Sequence, residues 1–281
     1  MPASVPLRSS GLIILVNKRL NSITNFCDAL IAAYLENPCQ VLPNALWKTL
    51  AQVERLETRY EMQGNRVTHL EAWGAKELFI YWDRERNKAS IPAERLAELD
   101  LALVHQDFLD PRATAHLTSR TPYFRLMHTG PVQKRPQLPP TFALVQVDAR
   151  REAEAIARLI GECHGDPHFP AEWVRDWTQQ AVFDPTLWVW VVDTRQNKPV
   201  GLGIAELDRT VGEGSLEWMQ VLPAYRRQGL GQALVLELLS RLAGRAAFVT
   251  VGGQVENPTH PEALYRRCGF RGQDVWWVLR P

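Results

Sequence analysis

VLPAYRRQGLGQALVLELLSRLAG, residues 221–244, is the stretch on which the interpretation of this chain depends. Apolar residues up to Leu222 give way to a proline, two arginines and two glycines, and an amphipathic helical pattern follows. A helix commonly begins at a Ser, Thr, Asp or Asn whose side chain caps the first N–H groups. Gly229 and Gly231 stand here instead, which leaves those donors free and lets a ligand approach the backbone. Free donors at the positive end of a helix dipole bind anions, so the stretch predicts an anion-binding loop between a strand and a helix.

The two arginines beside the glycines favour phosphate as the anion. Arg226 and Arg227 carry positive charge and forked N–H donors that suit phosphate oxygens. No Lys-Ser or Lys-Thr pair follows the glycines, and the three-glycine spacing with a later acidic residue is absent. The stretch is therefore neither a P-loop nor a dinucleotide fingerprint. The alternative is that the glycines only tighten a turn between strand and helix.

Two motifs in the second half of the chain resemble those of one enzyme family. Arg226-x-x-Gly229-x-Gly231 matches the Q/R-x-x-G-x-G/A motif of the GCN5-related N-acetyltransferases (GNAT). Downstream, Asn257 and then PEALYRRCGF are similar to the family's later signature, which is carried here by Ala263, Leu264, Tyr265, Gly269 and Phe270. The resemblance covers residues 141–281, about half of the chain.

The resemblance implies where acetyl-CoA binds. The co-substrate would lie in a V between the strands SLEWMQV and AFVTVG, with its pantetheine arm paired to the backbone as an added strand would be. The loop after the first of these strands would hold the pyrophosphate. The cofactor-binding residues expected on this basis are Met219, Gln220, Val221, Arg226, Arg227, Gln228, Gly229, Leu230, Gly231, Gln232 and Asn257.

Two residues are the candidates for proton transfer. Tyr265 would protonate the leaving thiolate, because a phenol is neutral at working pH and its pKa is not far above that of a thiol; the alternative is that its ring only packs beside the cofactor. Glu217 alternates with Met219 and Val221, so all three side chains are predicted on one face of the strand, where Glu217 would take an amine proton through water. A surface or salt-bridged glutamate is the alternative for Glu217, and Glu213 is a second contender for the base.

The order of elements predicts an α+β fold, with a mixed, mainly antiparallel splayed sheet flanked by helices, at residues 141–281. Residues 131–140 read as a proline-rich linker. Residues 1–130 are predicted to form an N-terminal α+β accessory domain, with helices at 26–37 and 46–60 and four strands after them.

The role of the first half stays open. The two halves show no internal sequence repeat, and no glycine loop like that at 226–231 occurs before the linker. A degenerate partner domain over the acceptor side, a dimerisation unit that makes a homodimer, and an independent binding module are the alternatives. Aromatic residues such as Tyr81, Trp82, Tyr123 and Phe124 would suit packing against another sheet.

Composition excludes several classes of protein. The chain has 281 residues, of which 46% are hydrophobic and 22% charged, as in an ordinary folded protein. A net charge of +1 argues against a nucleic-acid binder and favours small-molecule partners. The resemblance implies that these partners are acetyl-CoA and an amine-bearing acceptor, a small molecule rather than a protein. The apolar run at 11–16 is too short to cross a membrane. A cytoplasmic location is the expectation.

Other residue groups favour structural roles. Four scattered cysteines indicate neither a disulfide framework nor a zinc site, and Cys163, His164 and His168 fit no common zinc spacing, so no metal is expected. Of the tryptophans, Trp173 and Trp177 stay open as walls of an acceptor pocket. The sequence thus predicts an acetyl-CoA-dependent N-acetyltransferase. The alternative is an acyl-CoA-binding regulatory or scaffolding protein without catalysis.

Overall fold

The computed structural model describes residues 23–85, 91–110, 112, 118–132 and 137–280. The apolar run at 11–16 and residues 133–136 of the predicted linker lie outside these ranges. No helix in the described ranges is long and apolar enough to span a membrane.

Short helices cover the faces of a large sheet. In the described residues they are α1 (Phe26–Glu36), α2 (Pro38–Val41), α3 (Leu46–Val53), α4 (Ala93–Ala97), α5 (Ala153–His164), α6 (Ala171–Trp177), α7 (Leu230–Leu242) and α8 (Pro261–Arg267). The strands are β1 (Glu57–Gln63), β2 (Arg66–Trp73), β3 (Glu77–Asp83), β4 (Leu101–His105), β5 (Ser119–His128), β6 (Phe142–Gln146), β7 (Trp188–Asp193), β8 (Lys198–Asp208), β9 (Glu213–Val221), β10 (Phe248–Gln254) and β11 (Arg271–Arg280).

All of these strands belong to one mixed sheet, in the order β1-β2-β3-β4-β11-β5-β10-β9-β8-β7-β6. Most neighbours are antiparallel, while β3–β4 and β9–β10 are parallel. The predicted α+β fold with a mixed sheet flanked by helices is confirmed. The two halves do not pack face to face as separate sheets, because their strands pair edge to edge.

The two halves exchange their last strands. β5, from the first half, pairs with β10 and β11, whereas β11, from the second half, pairs with β4 and β5. Each half also has an antiparallel three-strand meander followed by one parallel strand, namely β1–β2–β3 with β4 and β7–β8–β9 with β10. The halves therefore share an arrangement that their sequences do not reveal.

A buried ionic cluster joins the halves at the exchanged strands. Glu213, at the start of β9, is 1% exposed and accepts hydrogen bonds from Tyr34 Oη (2.7 Å), Thr250 Oγ1 (2.6 Å) and the backbone N–H of Leu46 (3.2 Å). Arg125 Nη2 of β5 lies 3.4 Å from the same carboxylate. Every donor of Glu213 is thus a structural partner, and they come from both halves.

One predicted element is wrong. The helix expected at 46–60 ends at Val53, and Glu57–Gln63 forms strand β1. Tyr60 and Leu70 are partners in the β1–β2 ladder. Strand pairing thus determines the secondary structure of this segment, although its local pattern also suits a helix.

Candidate active site

Strands β9 and β10 separate at the place expected for acetyl-CoA. Their parallel pairing runs from Glu213–Phe248 to Leu216–Val251 and stops there. Beyond Leu216, β9 stays paired with β8 as far as Val221, while β10 stays paired with β5. No strand of the described sheet pairs with the other edge of β9 at residues 219–221. That edge therefore has backbone groups available for an extended ligand.

The glycine loop at the start of α7 has the features of an anion site. Gly229 is the N-cap residue with φ +81°, and in the described part of the chain no side chain caps the first turn. A Cβ at Gly229 would meet no atom within 4 Å, so the loop is open there. A Cβ at Gly231 would lie 3.3 Å from Leu264 Cδ2 of α8. Gly229 therefore serves the loop conformation, and Gly231 makes room for the packing of α7 against α8; the role of Gly231 in ligand binding stays a prediction.

The two arginines of the loop differ in their surroundings. Arg226 is half-buried; its Nε donates to the Val221 carbonyl oxygen at 3.0 Å, and its charge opposes the rise that burial causes in the pKa of the Cys163 thiol. Arg227 is exposed and has a left-handed backbone, φ +64°. Arg226 thus ties the loop to strand β9, and Arg227 is the more accessible charge beside the helix start.

A β-bulge changes the side-chain pattern expected for β9. Ala205 pairs with Leu216 and Ile204 pairs with Trp218, which leaves Glu217 as the extra residue. Glu217 and Trp218 consequently line the same pocket. Met219 Cε lies on the opposite face, against the leucines of α7 around Gly203. The prediction that Glu217, Met219 and Val221 share one face is therefore wrong, because strict alternation fails at a bulge.

The pocket beside the bulge has a volume of about 70 Å³ and is built from both halves. Its walls are Trp47 and Lys48 of α3, Trp177 of α6, Trp188 of β7, Ile204 and Glu206 of β8, and Glu217 and Trp218 of β9. The rings of Trp177 and Trp218 are stacked, with centroids 5.4 Å apart. Trp188 Nε1 is buried without a hydrogen-bond partner among the described residues. An aromatic pocket with two carboxylates and an unused N–H donor can bind a small polar molecule.

The two carboxylates of the pocket differ in charge. Glu217 forms an ion pair with the Lys48 ammonium, and both side chains are partly exposed. Burial, reinforced by the charge of Glu217, raises the pKa of Glu206 to about 8, although Lys48 opposes the shift. Trp47 Nε1 (2.9 Å) and Ser215 Oγ (3.3 Å) donate to Glu206 Oε2. At neutral pH the Glu206 carboxyl is thus protonated, while the Glu217 side chain is held by the Lys48 ammonium.

Tyr265 is buried in α8 between the two halves. Its ring centroid is 6.1 Å from that of Phe124 on β5 and 5.8 Å from that of Phe270. Burial raises the pKa of Tyr265 above its usual value, and the charges of Cys268 and Glu217 add to this. Its phenol is therefore protonated at neutral pH but is a weaker acid than expected from the sequence, because burial moves its pKa further above that of a thiol.

Two other sequence-predicted residues have structural partners. Asn257 Oδ1 accepts from Thr259 N (2.9 Å) and Oγ1 (2.7 Å) in the turn before α8. Gln220 Nε2 lies 3.0 Å from His164 Nε2, so its side chain points toward α5. The Glu213 carboxylate, the other contender for a base, is held inside the ionic cluster described above. These contacts leave Glu217 as the accessible carboxylate of β9.

Of the two tryptophans that the sequence left open, Trp177 lines the pocket, whereas Trp173 is 53% exposed and contacts Phe169.

In the described residues, no group of three or more His, Cys, Asp or Glu side chains is arranged to hold a metal ion.

Sequence reasoning missed Trp47, Lys48 and Glu206. Trp47 and Lys48 belong to the half that carries no family motif, and they reach the pocket only through the pairing of the two halves. The one available signal was the charged and aromatic Trp47-Lys48 pair in an amphipathic helix, which is usually a surface feature.

Comparisons with known proteins agree with this geometry. Residues 185–272 match the family model described as the acetyltransferase (GNAT) domain. The chain is similar in structure to a GCN5-related N-acetyltransferase from Sphaerobacter thermophilus, at 15% identity, 91% coverage of each chain and a TM-score of 0.62. It is also similar to a GNAT-family acetyltransferase from Colwellia psychrerythraea, at 12% identity, 92% coverage of this chain, 97% of that chain and a TM-score of 0.59.

A third structure, a tandem GNAT protein from the clavulanic acid biosynthesis pathway, is 16% identical over 95% of this chain and 94% of that chain, with a TM-score of 0.55. At such identities the likeness is one of fold. No curated protein matches the chain. The matched segment holds the glycine loop, the bulge and Tyr265, and the family and fold support acyl transfer in general. Residues 185–272 accordingly match the acetyltransferase (GNAT) domain, and the fold of the chain is that of the GNAT structures it resembles.

Proposed function

We propose that the protein transfers the acetyl group of acetyl-CoA directly to a primary amine of a small molecule. The observation that carries the proposal is the position of Glu217. It projects from the bulge of β9, at the point where β9 leaves β10, into a pocket next to the separated strands. A carboxylate there can hold an amine beside a thioester that runs along the free edge of β9.

Each residue has a task in this reaction. Acetyl-CoA supplies the acetyl group as a thioester, and residues 219–221, the backbone of the loop and the first turn of α7 would hold it. Glu217 binds the ammonium of the acceptor and takes its proton, directly or through water, which frees the nitrogen lone pair. Backbone N–H groups at the free edge of β9 stabilise negative charge on the carbonyl oxygen. Tyr265, which burial keeps protonated, gives its proton to the departing thiolate.

Steady-state kinetics test these roles. Tyr265→Phe and Glu217→Gln should each lower kcat about 100-fold while the KM for acetyl-CoA changes little, since both act on proton transfer. Tyr123→Phe, at an exposed tyrosine of β5, is the matched control and should keep full activity. Thiol release monitored with a panel of amines provides the rates. Unchanged kcat in both site variants would refute the assigned roles.

The alternative is a protein that binds acyl-CoA without turnover. The buried Tyr265 and the built-in Lys48–Glu217 ion pair are the features compatible with it. Isothermal titration separates the two functions: acetyl-CoA binding with no thiol release beyond slow hydrolysis for any amine would favour the binding protein. Acetyl-CoA binding that is lost in Arg227→Glu, together with amine-dependent thiol release, favours the enzyme.

We further propose that the first half is a degenerate GNAT unit. It shares the meander, the parallel fourth strand and the exchanged fifth strand with the second half. The tandem GNAT protein in the comparison aligns over nearly the whole of this chain, which supports the same organisation.

A further inference from the structure

We propose that strand β1 (Glu57–Gln63) is the interface of a symmetric dimer, in which the β1 strands of two copies of this chain pair antiparallel about Tyr60 and join their two sheets into one. Six strands lie between β1 and β9 in the sheet, so the inference concerns a different surface from the pocket. It does not depend on the proposed acetyl transfer.

The outer edge of β1 is open in the part of the chain that the structure describes. β1 is the first strand in the sheet order, and six of its seven residues are exposed. In the second half, β7 has the corresponding place at the start of the meander, and β6 pairs with its outer edge. An open sheet edge presents backbone N–H and C=O groups to which another strand can add. The first half thus has, among the described residues, no strand that covers β1 as β6 covers β7.

The residues of β1 favour pairing with a complementary strand. Edge strands are commonly protected by being short or by carrying proline or lysine. β1 has seven residues and contains neither. Its charges alternate in sign along one face, in the order Glu57, Arg59 and Glu61, because side chains two residues apart share a face. A row of alternating charges attracts a second such row in a register where opposite signs meet.

The charges select the register about Tyr60. In that register Arg59 faces the partner's Glu61, and Glu61 faces the partner's Arg59. Two other registers with a two-fold axis at a residue pair five residues of β1. An axis at Arg59 places Arg59 against its own copy and Glu57 against the partner's Glu61, and an axis at Glu61 places two copies of that carboxylate together. Like charges directly opposite each other destabilise a ladder, whereas opposite charges stabilise it.

Strand β2 extends the alternation across the sheet. In the β1–β2 ladder Arg59 is the partner of Glu71, and Glu61 is the partner of His69. Each row across the dimer would therefore run from Glu71 through Arg59 and the partner's Glu61 to the partner's His69. Within one chain Arg59 and Glu61 pair with each other, yet their side chains are 61% and 51% exposed. Both groups consequently have a free side toward a second copy.

The other face of β1 favours the same register. Tyr60 packs partly against the core of the first half, whereas Met62 is 36% exposed. With the two-fold axis at Tyr60, the two Tyr60 rings are cross-strand neighbours, and Met62 faces the partner's Thr58. Aromatic cross-strand pairs stabilise antiparallel ladders. Pairing therefore adds contacts on both faces of the joined sheet.

Sedimentation velocity of the full chain over a range of concentrations tests the dimer. Two seven-residue strands form a small interface, so we expect a dissociation constant of about 10–100 µM. Arg59→Glu and Glu61→Arg should each weaken the dimer by about tenfold or more, because two cross-strand ion pairs become two like-charge contacts. Lys198→Glu makes the same change of charge as Arg59→Glu at an exposed residue of β8, and it should leave the dissociation constant unchanged.

A mixture of the two charge variants tests the register. Arg59→Glu mixed with Glu61→Arg brings opposite charges together at both cross-strand positions, so a heterodimer should form although each variant alone is largely monomeric. The double variant Arg59→Glu, Glu61→Arg should likewise recover much of the lost affinity, less the repulsion of its new carboxylate by Glu71. Thermal unfolding of the monomers should match that of the unaltered chain and so show that every variant folds.

Several results would overturn the proposal. A chain that stays monomeric at millimolar concentration would refute the dimer, also where residues 1–22 of the same chain cover the edge. A dimer that Arg59→Glu and Glu61→Arg leave intact would have its interface elsewhere, for example at the outer edge of β6. Equal weakening by Lys198→Glu would indicate a general effect of charge, and a mixture without heterodimer would exclude pairing about Tyr60.

Discussion

The two halves of the molecule have the same strand arrangement, but they differ at the point where their parallel strands separate: the second half is open there and the first half is closed. In the second half, the segment after β9, which contains the glycine loop, and the segment after β10 are not joined by a backbone hydrogen bond among the described contacts. In the first half, β3 and β4 pair at two positions, and the segments that follow meet through Ile91 N to Phe108 O at 3.2 Å.

Buried side chains also close the first half. Ile91 and Phe108 are buried, and the Phe108 ring packs edge-on against Tyr81 of β3 at 5.7 Å. The difference shows how one arrangement of strands serves two purposes. One half keeps a groove for an extended ligand, while the other fills the corresponding place and contributes Trp47 and Lys48 to the pocket of its neighbour.

Breaking the ionic cluster between the halves should have the largest effect. Arg125→Met should lower the free energy of unfolding by about 3–5 kcal/mol, because it leaves the buried Glu213 carboxylate without its cation. The double variant Arg125→Met, Glu213→Gln should recover part of this loss. Urea denaturation measures both, with Arg120→Met on the exposed face of β5 as the control.

A loss below about 1 kcal/mol, or two separate unfolding transitions in the unaltered chain, would mean that the halves are independent units.

Each half has a buried glutamate in its central strand, and the two should have opposite effects on pH-dependent stability. Glu206 binds its proton more tightly when folded, so stability falls as the pH rises from about 4.5 to about 8. Burial alone would raise the pKa of Glu71 in β2, but the neighbouring His69 and the ion pair with Arg95 outweigh it and lower the pKa. The stability that Glu71 contributes is therefore lost as the pH falls through its folded-state pKa.

Between pH 5 and pH 9, the free energy of unfolding of Glu206→Gln should consequently increase by about 2–4 kcal/mol relative to that of the unaltered chain. Glu71→Gln should lose stability relative to the unaltered chain over the same range or show no gain. Thermal unfolding at several pH values gives the comparison. The same sign of change in both variants would show that the carboxylates are not differently protonated.

The difference between the two halves in acetyl-CoA binding should appear when the protein is titrated with acetyl-CoA. One acetyl-CoA should bind per chain, and Gly229→Glu should weaken it about tenfold or more, since a carboxylate at the helix start repels a diphosphate. Gly64→Glu is the matched control at an open, positive-φ glycine of the first half and should bind normally. Two equivalents of acetyl-CoA per chain would show that the first half also binds the co-substrate, contrary to the closure by Ile91 and Phe108.

Local features of the second half could be predicted from the sequence. Its helices and strands and the uncapped helix start at Gly229 follow from patterns confined to short segments, whereas the separation of β9 from β10 was implied by the family resemblance. The bulge at Glu217 could not be predicted from the sequence, because strict alternation is the default for a strand and only the pairing with β8 reveals the extra residue. The shared pocket could not either, since Lys48 meets Glu217 across 169 residues of sequence.

The exchange of β5 and β11 has a consequence for how the chain folds during synthesis. The first half leaves the ribosome early, yet the strand that fills its sheet between β4 and β5 is made after every other strand. Domains of multidomain proteins generally fold in order, starting from the N-terminus. We therefore expect β4 to stay unpaired on one side until residues 271–280 are made, so that the two halves reach the native structure together.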